Sequence, residues 1–258
     1  VSVVSEMTKV LIISDIHGNA DAFKVLLEGV GSWDYVFVLG DLVDYGPEPH
    51  IVVDLIKDLR PDIVLTGNHD YAVAFNTDCR CAPELHELSE YTRVNISYKL
   101  LSKEQIDWLK SLPINHKLVI DNVRIYLVHG SPRNPLYGYL RPSLPESEIL
   151  LALTPNIYAF RPKPVDADLV IVGHTHIPTD MRIENVRVLN PGSVGQPRDG
   201  DWRASASILD LNSGEFKIYR VEYNIRDVVH KLRSLNLDSR YVMWLEKMLM
   251  SGKIVESL

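Results

Sequence analysis

The chain has 258 residues, 46% of them hydrophobic, and a formal charge of −7, which is enough apolar material for one large core. The acidic balance disfavours a nucleic-acid backbone as partner, although a local metal centre can still draw a small anion. No apolar run approaches the length of a bilayer span and no segment reads as a secretory leader, so a soluble cytoplasmic protein with no membrane partner is expected.

Val1 to Thr8 reads as a frayed leader and Lys9 to Ser14 as a first central strand. Asn19 is placed to cap a helix running to about Val30, with Phe23, Leu26, Leu27 and Val30 on one face. A second strand, Trp33 to Leu39, ends at Gly40-Asp41. After the loop Asp44-Tyr45-Gly46-Pro47, a second helix should turn Ile51, Val52, Leu55, Ile56 and Leu59 to the sheet. A third strand, Asp62 to Thr66, ends at Gly67-Asn68-His69-Asp70. Three strand–helix repeats with polar chemistry at the same end of each strand predict an α/β sheet.

Tyr71 to Tyr98 is less regular, with a polar loop first and helix expected later, extending over the site. This loop holds Cys79 and Cys81, too close for a strain-free disulfide and not a Cys-x-x-Cys unit. Ser102 and Gln105 form a capping box for a helix to Leu112. Lys117 to Ile120 and Val123 to Val128 make a hairpin around Asp121-Asn122 that ends at His129. Residues 130–164 are rich in Pro, Arg and Tyr around a short helix, Glu146 to Leu153; so long an insertion reads as a substrate-shaping lobe. Asp168 to Val172 is another strand, ending at Gly173-His174. Met181 to Ile183, Arg187 to Leu189, Ser205 to Leu211 and Phe216 to Val221 are short strands, the last two joined at Asn212-Ser213-Gly214, and fit a second sheet packed on the first. Asn224 caps a helix carrying Val228, Val229, Leu232 and Leu235. A further helix, Arg240 to Leu249, belongs to a tail with Met243, Trp244, Met248 and Met250, read as core packing with a homodimer contact as the alternative. The whole reads as one domain, 1–258, with insertions at about 71–100 and 131–164 and a helical tail at about 224–258.

Asp15 and His17, two apart in what reads as an extended segment, would share a side and reach one ion. Asp41 has two carboxylate oxygens and can bridge two ions. Asn68 offers an amide oxygen; His129, His174 and His176 offer imidazoles. This mixture suits manganese, iron, cobalt, nickel or zinc better than magnesium alone, and the lack of thiolates in it argues against a structural zinc site. Singly, Asp15 or Asn19 reads as a helix cap and Asn68 as turn chemistry. Isolated roles do not explain why all converge on strand ends.

Asp15-x-His17-Gly18-Asn19, Gly40-Asp41-x-x-Asp44, Gly67-Asn68-His69-Asp70, His129-Gly130 and Gly173-His174-Thr175-His176 together resemble the motifs of calcineurin-like metallophosphoesterases, closest to the small bacterial and archaeal phosphodiesterase-type members. The resemblance implies a four-layer α/β/β/α sandwich instead of a simple three-layer sheet. It implies two divalent transition-metal ions, manganese first, with iron, nickel, cobalt or zinc as alternatives. Asp15, His17 and His176 would hold one ion, Asn68, His129 and His174 the other, and Asp41 both. The implied reaction is phosphoester hydrolysis by a metal-bridging water or hydroxide, without a covalent intermediate. His69 matches the residue that contacts the phosphate or protonates the leaving oxygen, Asp70 is placed to orient it, and Asn19 is a further candidate for phosphate contact.

One departure stands out. Serine/threonine protein phosphatases and symmetrical dinucleoside tetraphosphatases of this family carry an arginine where this chain has Tyr45, and tyrosine is no bidentate phosphate clamp. Arg133, Arg141 or Arg161 could replace it, and Tyr137 and Tyr139 could stack on a leaving group. The sequence therefore predicts a dinuclear phosphodiesterase acting on a small phosphoester. The alternatives are a phosphomonoesterase, acting as a protein phosphatase or dinucleoside polyphosphate hydrolase, and a non-enzymatic metal-binding scaffold; a nuclease has little support.

Overall fold

The apolar run near the start of the chain forms β1 (Lys9–Ile13), with Val10 to Ile13 fully buried. Its alternate residues serve two cores: Leu11 and Ile13 pack with helices, Val10 and Ile12 against a second sheet. Burial on both faces explains why the run reads as continuously hydrophobic. The computed structural model describes residues 8–256, so the leader expected at Val1 to Thr8 lies outside the described residues except for Thr8.

β1 pairs in parallel with β2 (Tyr35–Val38), and β2 in parallel with β3 (Ile63–Val64). The crossovers are α1 (Ala20–Gly29), capped by the Asn19 side chain on Ala22 N at 3.1 Å, and α2 (Pro49–Leu59). The buried stripe of α2 is Val52, Val53 and Ile56, while Ile51, Leu55 and Leu59 lie half-buried at its margin. β3 is shorter than expected because it is an edge strand: the Thr66 amide leaves the ladder and donates to Pro113 O.

The segment read as a polar loop followed by helix does hold a loop at 76–82, but helix lies before it as well as after. It holds α3 (Asn68–Phe75), α4 (Pro83–Thr92), a π-helical turn over Arg93–Ser97 and α5 (Tyr98–Leu100). α3 is buried on nearly every side, so it carries no amphipathic stripe to read. α6 (Lys103–Lys110) starts at the reciprocal Ser102–Gln105 capping box.

The later strands do not make one sheet. β9 (Ala204–Asp210) and β10 (Phe216–Val221) join the first, in the order β10-β9-β1-β2-β3, with β9 antiparallel to β1. All seven residues of β9 are buried, which a position inside that sheet provides. The second sheet runs β4-β5-β6-β8-β7, from β4 (Asn115–Ile120), β5 (Val123–Val128), β6 (Leu169–Ile171), β7 (Thr179–Ile183) and β8 (Val186–Asn190). The β4–β5 turn holds both Asp121 (φ 50°) and Asn122 (φ 63°) left-handed, as a two-residue hairpin loop requires.

The sheets stack through Ile12, Phe37 and Leu39 on one side and Ile125, Leu127 and Ile171 on the other. The outer face of the second sheet, including Val170 and Val188, packs on Ile149 of α7 (Glu146–Ala152). The architecture is thus the four-layer α/β/β/α sandwich. In the tail, α8 (Ile225–Ser234) and α9 (Ser239–Ser251) bury Val228, Leu232, Trp244 and Met248 in the core of the first helical layer, while Met243 and Met250 are exposed. Among the described residues no helix is long and apolar enough to cross a membrane.

Trp244 is 1% exposed and donates Nε1–H to Val255 O at 2.7 Å. Trp244→Ala is expected to cost ~3–5 kcal/mol in urea unfolding, as large core truncations do, whereas Met243→Ala at the exposed position should leave the midpoint nearly unchanged.

Candidate metal centre

The two sheets present their strand ends to one place. Asp15 and His17 follow β1, Asp41 follows β2, and Asn68 and His69 open α3 after β3. His129 follows β5, and His174 and His176 follow β6. All are at most 3% exposed. Asp15 and His17 do not converge as an extended pair. Each turns left-handed, with φ of 54° and 47°, as do Asp41 (54°), His174 (64°) and His176 (58°). That conformation costs roughly 1–2 kcal/mol for a residue with a side chain. Bonds between loops hold it: Asp15 N to Gly40 O at 3.0 Å, His17 N to Asp41 O at 2.9 Å and Gly195 N to Asp15 O at 3.0 Å. Gly40, at φ 95°, lies where a Cβ would overlap the Gly67 backbone. This close approach sets Asp41 beside Asn68.

Three imidazoles are aimed by their far nitrogens. Nδ1–H donates to Val43 O from His17 (2.9 Å), to Leu39 O from His129 (2.8 Å) and to Gln196 O from His176 (2.6 Å). Metal-binding histidines are oriented this way, which leaves Nε2 bare. The Nε2 atoms of His17 and His176 face each other at 3.3 Å, and His176 Nε2 is 3.2 Å from Asp15 Oδ1. His129 Nε2 is 3.2 Å from Asp41 Oδ2 and 3.1 Å from Asn68 Oδ1. His174 Nε2 is buried without a hydrogen-bond partner. Two bare lone pairs in contact and one orphaned nitrogen are what a cation between them would resolve. The residues therefore fit metal ions. Ligand atoms of Asp15, His17, Asp41 and His176 lie within 4.8 Å of one another, as do those of Asp41, His129 and His174, with Asp41 in both groups.

The electrostatics match. Burial alone would raise the carboxyls of Asp15 and Asp41. The His176 and His129 imidazoles around Asp15, and His129, His69 and His17 around Asp41, outweigh it and hold both well below the usual carboxylate range. Burial pushes His17, His174 and His176 down, toward the neutral form that binds metal.

His69 Nδ1 lies 2.9 Å from Asp44 Oδ2. Burial disfavours its charged form, but Asp41, Cys79 and Asp44 outweigh that and raise the imidazole to about 8. Asp44 is held in turn by Ser97 Oγ at 2.7 Å and the buried Arg93 Nε at 3.2 Å. Asp70, expected to orient His69, does not reach it. Successive residues on α3 point about 100° apart, and the Asp70 carboxylate instead accepts from Leu42 N (2.8 Å), Val43 N (3.3 Å) and Gly67 N (3.0 Å).

The other sequence candidates separate. Asn19 is committed to its helix cap and to Gly195 O. Tyr45 packs edge-on to His17 at 4.9 Å and tilted to His69 at 5.0 Å, with its buried hydroxyl unpaired. Behind it, Val228, Leu232, Leu245 and Leu249 of the tail close a void of about 10 Å³ against His17 and Tyr45. Tyr139 lies tilted against His174 with centroids 4.2 Å apart, and Arg141 Cζ sits 4.6 Å from its ring centroid. Arg133 is tied to Asn156 O and Ile157 O in the insertion, Arg161 is exposed, and Tyr137 sits under Arg80 in a separate pocket with Tyr71 and Asp78. Besides Arg93, the sequence reading missed the cation Arg198. Its backbone N–H donates to His176 O at 3.3 Å, its guanidinium bonds Gln196 Oε1 at 2.6 Å, and its buried Nε is unpaired. Asn190-Pro191-Gly192-Ser193, beginning on the last residue of β8, is one more glycine-bearing strand end, the signal by which the turn before Arg198 could have been found.

Residues 8–214 match the calcineurin-like phosphoesterase superfamily domain, and the chain belongs to that superfamily. It is 30% identical to an uncharacterised protein of Methanocaldococcus jannaschii, over 95% of this chain and 98% of that one. It is 25% identical to the phosphodiesterase YfcE of Escherichia coli, over 79% and 88%. A metallophosphoesterase structure from Sphaerobacter thermophilus matches with a TM-score of 0.76 at 30% identity, covering 96% of this chain and all of that one.

With manganese at about 100 times its Kd, the unfolding free energy is expected to rise by ~2.7 kcal/mol. Asp41→Asn should remove most of that gain, read by urea unfolding with and without the ion; an equal gain in the variant would refute Asp41 as a ligand.

Proposed function

We propose that this metal-dependent phosphoesterase hydrolyses small phosphodiesters at a dinuclear centre, with Asp15, His17 and His176 holding one ion, Asn68, His129 and His174 the other, and Asp41 shared. The observation that carries the reading is the pair of overlapping donor groups meeting at Asp41, with His69 beside them. Bound there, divalent ions supply an activated water at neutral pH and offset the charge that grows on the phosphoryl oxygens. Manganese is the first choice, because carboxylate, amide and imidazole donors suit it.

The chain's own residues do the rest. His69, fixed at Nδ1 by Asp44, presents Nε2 to the leaving oxygen and gives it a proton. Tyr45 Oη and Arg198 Nε, both buried and unpaired, serve as donors to non-bridging phosphoryl oxygens. The Tyr139 ring, packed against His174 and covered by Arg141, borders the centre as part of its aromatic wall. A diester carries one negative charge, and a tyrosine where related enzymes have arginine matches that smaller demand. The phosphodiesterase name of the YfcE relative agrees. The second reading, a monoesterase or dinucleoside polyphosphate hydrolase, is favoured by Arg198, whose guanidinium could clamp a terminal phosphate dianion.

Manganese-loaded protein is expected to turn over bis(p-nitrophenyl) phosphate faster than p-nitrophenyl phosphate or a dinucleoside tetraphosphate; turnover of only the last two would establish the second reading. His69→Ala should lower kcat for the diester by about 10²–10⁴-fold with metal content unchanged, and Asp44→Asn by about 10–100-fold. Loss of bound metal in His69→Ala would make His69 a ligand instead.

A further inference from the structure

Beside the centre lies a pair of side chains that phosphoester hydrolysis does not use. Cys79 is fully buried and Cys81 half-buried, on the loop between α3 and α4. Two residues apart on an extended chain, their side chains would share a side but stand about 6–7 Å apart. Here Arg80 turns left-handed, at φ 47°, and its amide is held by Asp78 Oδ1 at 2.8 Å. The turn brings the two sulfurs to 2.9 Å. Cys79 Sγ also lies 3.3 Å from Ser89 Oγ, which in turn lies 3.3 Å from His69 Nδ1. One ligand atom from each of His69, Cys79 and Cys81 falls within 4.8 Å of the other two.

We propose that His69, Cys79 and Cys81 form a separate site for one thiophilic divalent cation, zinc in the first instance, and that its occupation takes His69 out of the reaction. Two thiolates and an imidazole are three donors of a tetrahedral zinc shell, with the fourth position open to water or a substrate oxygen. The donor sets divide by softness. Carboxylate, amide and imidazole groups suit manganese, and thiolates select zinc and its heavier analogue cadmium. A neighbouring trio, Asp78, Cys79 and His86, also gathers within 4.8 Å, but Asp78 is exposed and His86 half-exposed. The inhibitory consequence rests on the role given to His69 above; the binding does not.

The test is titration of reduced, manganese-loaded protein with cadmium, followed by thiolate-to-cadmium charge-transfer absorption, by metal content and by diester turnover. One equivalent of cadmium is expected to develop the full band without displacing manganese, and to stop turnover in step with the band. Cys79→Ser/Cys81→Ser should show no band and keep its turnover at the same cadmium concentration. Cys81→Ser alone, at the half-buried position, should leave about half the band, in proportion to the metal–sulfur bonds retained. His86→Ala should behave as the parent. The proposal is overturned if no band forms, if the band survives in the double variant, or if His86→Ala abolishes it. A full band on protein that hydrolyses no diester would leave the cation site standing and remove only the phosphodiesterase reading.

Discussion

Two carboxylates, Asp15 and Asp41, are taken out of water, at 0% and 1% exposure, and everything at the sheet ends follows from that. A buried anion is costly unless charge or hydrogen bonds answer it. Asp15 is answered by His174 N–H and Asp41 by His69 N–H and the His129 ring, while the bare His176 Nε2 stands 3.2 Å from Asp15 Oδ1. These contacts are incomplete, because burial holds His17, His174 and His176 toward the neutral form with bare nitrogens aimed at the same volume, while burial at His129 is outweighed by Asp41, which pushes it up to about 9. The carboxylates thus create a demand for positive charge, and the histidines shape the space in which divalent ions meet it.

Meeting that geometry strains the backbone. The left-handed turns at Asp15, His17, Asp41, His174 and His176 would relax in isolated loops. They persist because each loop is bonded to another loop, through Gly40 O, Leu42 O, Ser14 O and the Gly195 amide. Strain of this kind gathers where surrounding structure over-determines a site. Here the two stacked sheets supply the determination.

Much of the centre was legible because its chemistry is local: apolar runs that are buried on both faces stop at conspicuous polar groups, and five such stops recur. Distant pairing was less legible. Nothing in Ala204 to Asp210 says that it will lie beside β1, since complete burial erases the alternation that would assign it a face. The partner of His69 was misread for a related reason. With the start of α3 at Asn68 unrecognised, Asp70 looked adjacent in space as well as in sequence, whereas helical geometry turns it away and leaves Asp44, from a different loop, at Nδ1. Arg93 and Arg198 escaped because a lone arginine in a loop or a π-helical turn carries no pattern until its neighbours are in place.

The proposed donors divide between the sheets, Asp15, His17, Asp41 and Asn68 on the first and His129, His174 and His176 on the second. Neither sheet owns a complete set, so tight ion capture reports the docking of the two and not the folding of either. Chain order adds a delay. Of the proposed donors, a nascent chain ending at Asn68 carries three oxygen-bearing side chains and one imidazole, a poor trap for any particular metal. The last donor emerges at His176, and β9, the neighbour of β1 inside the first sheet, comes later still. On the ligand set proposed above, the shell is complete only when the chain has passed His176 and the sandwich can close.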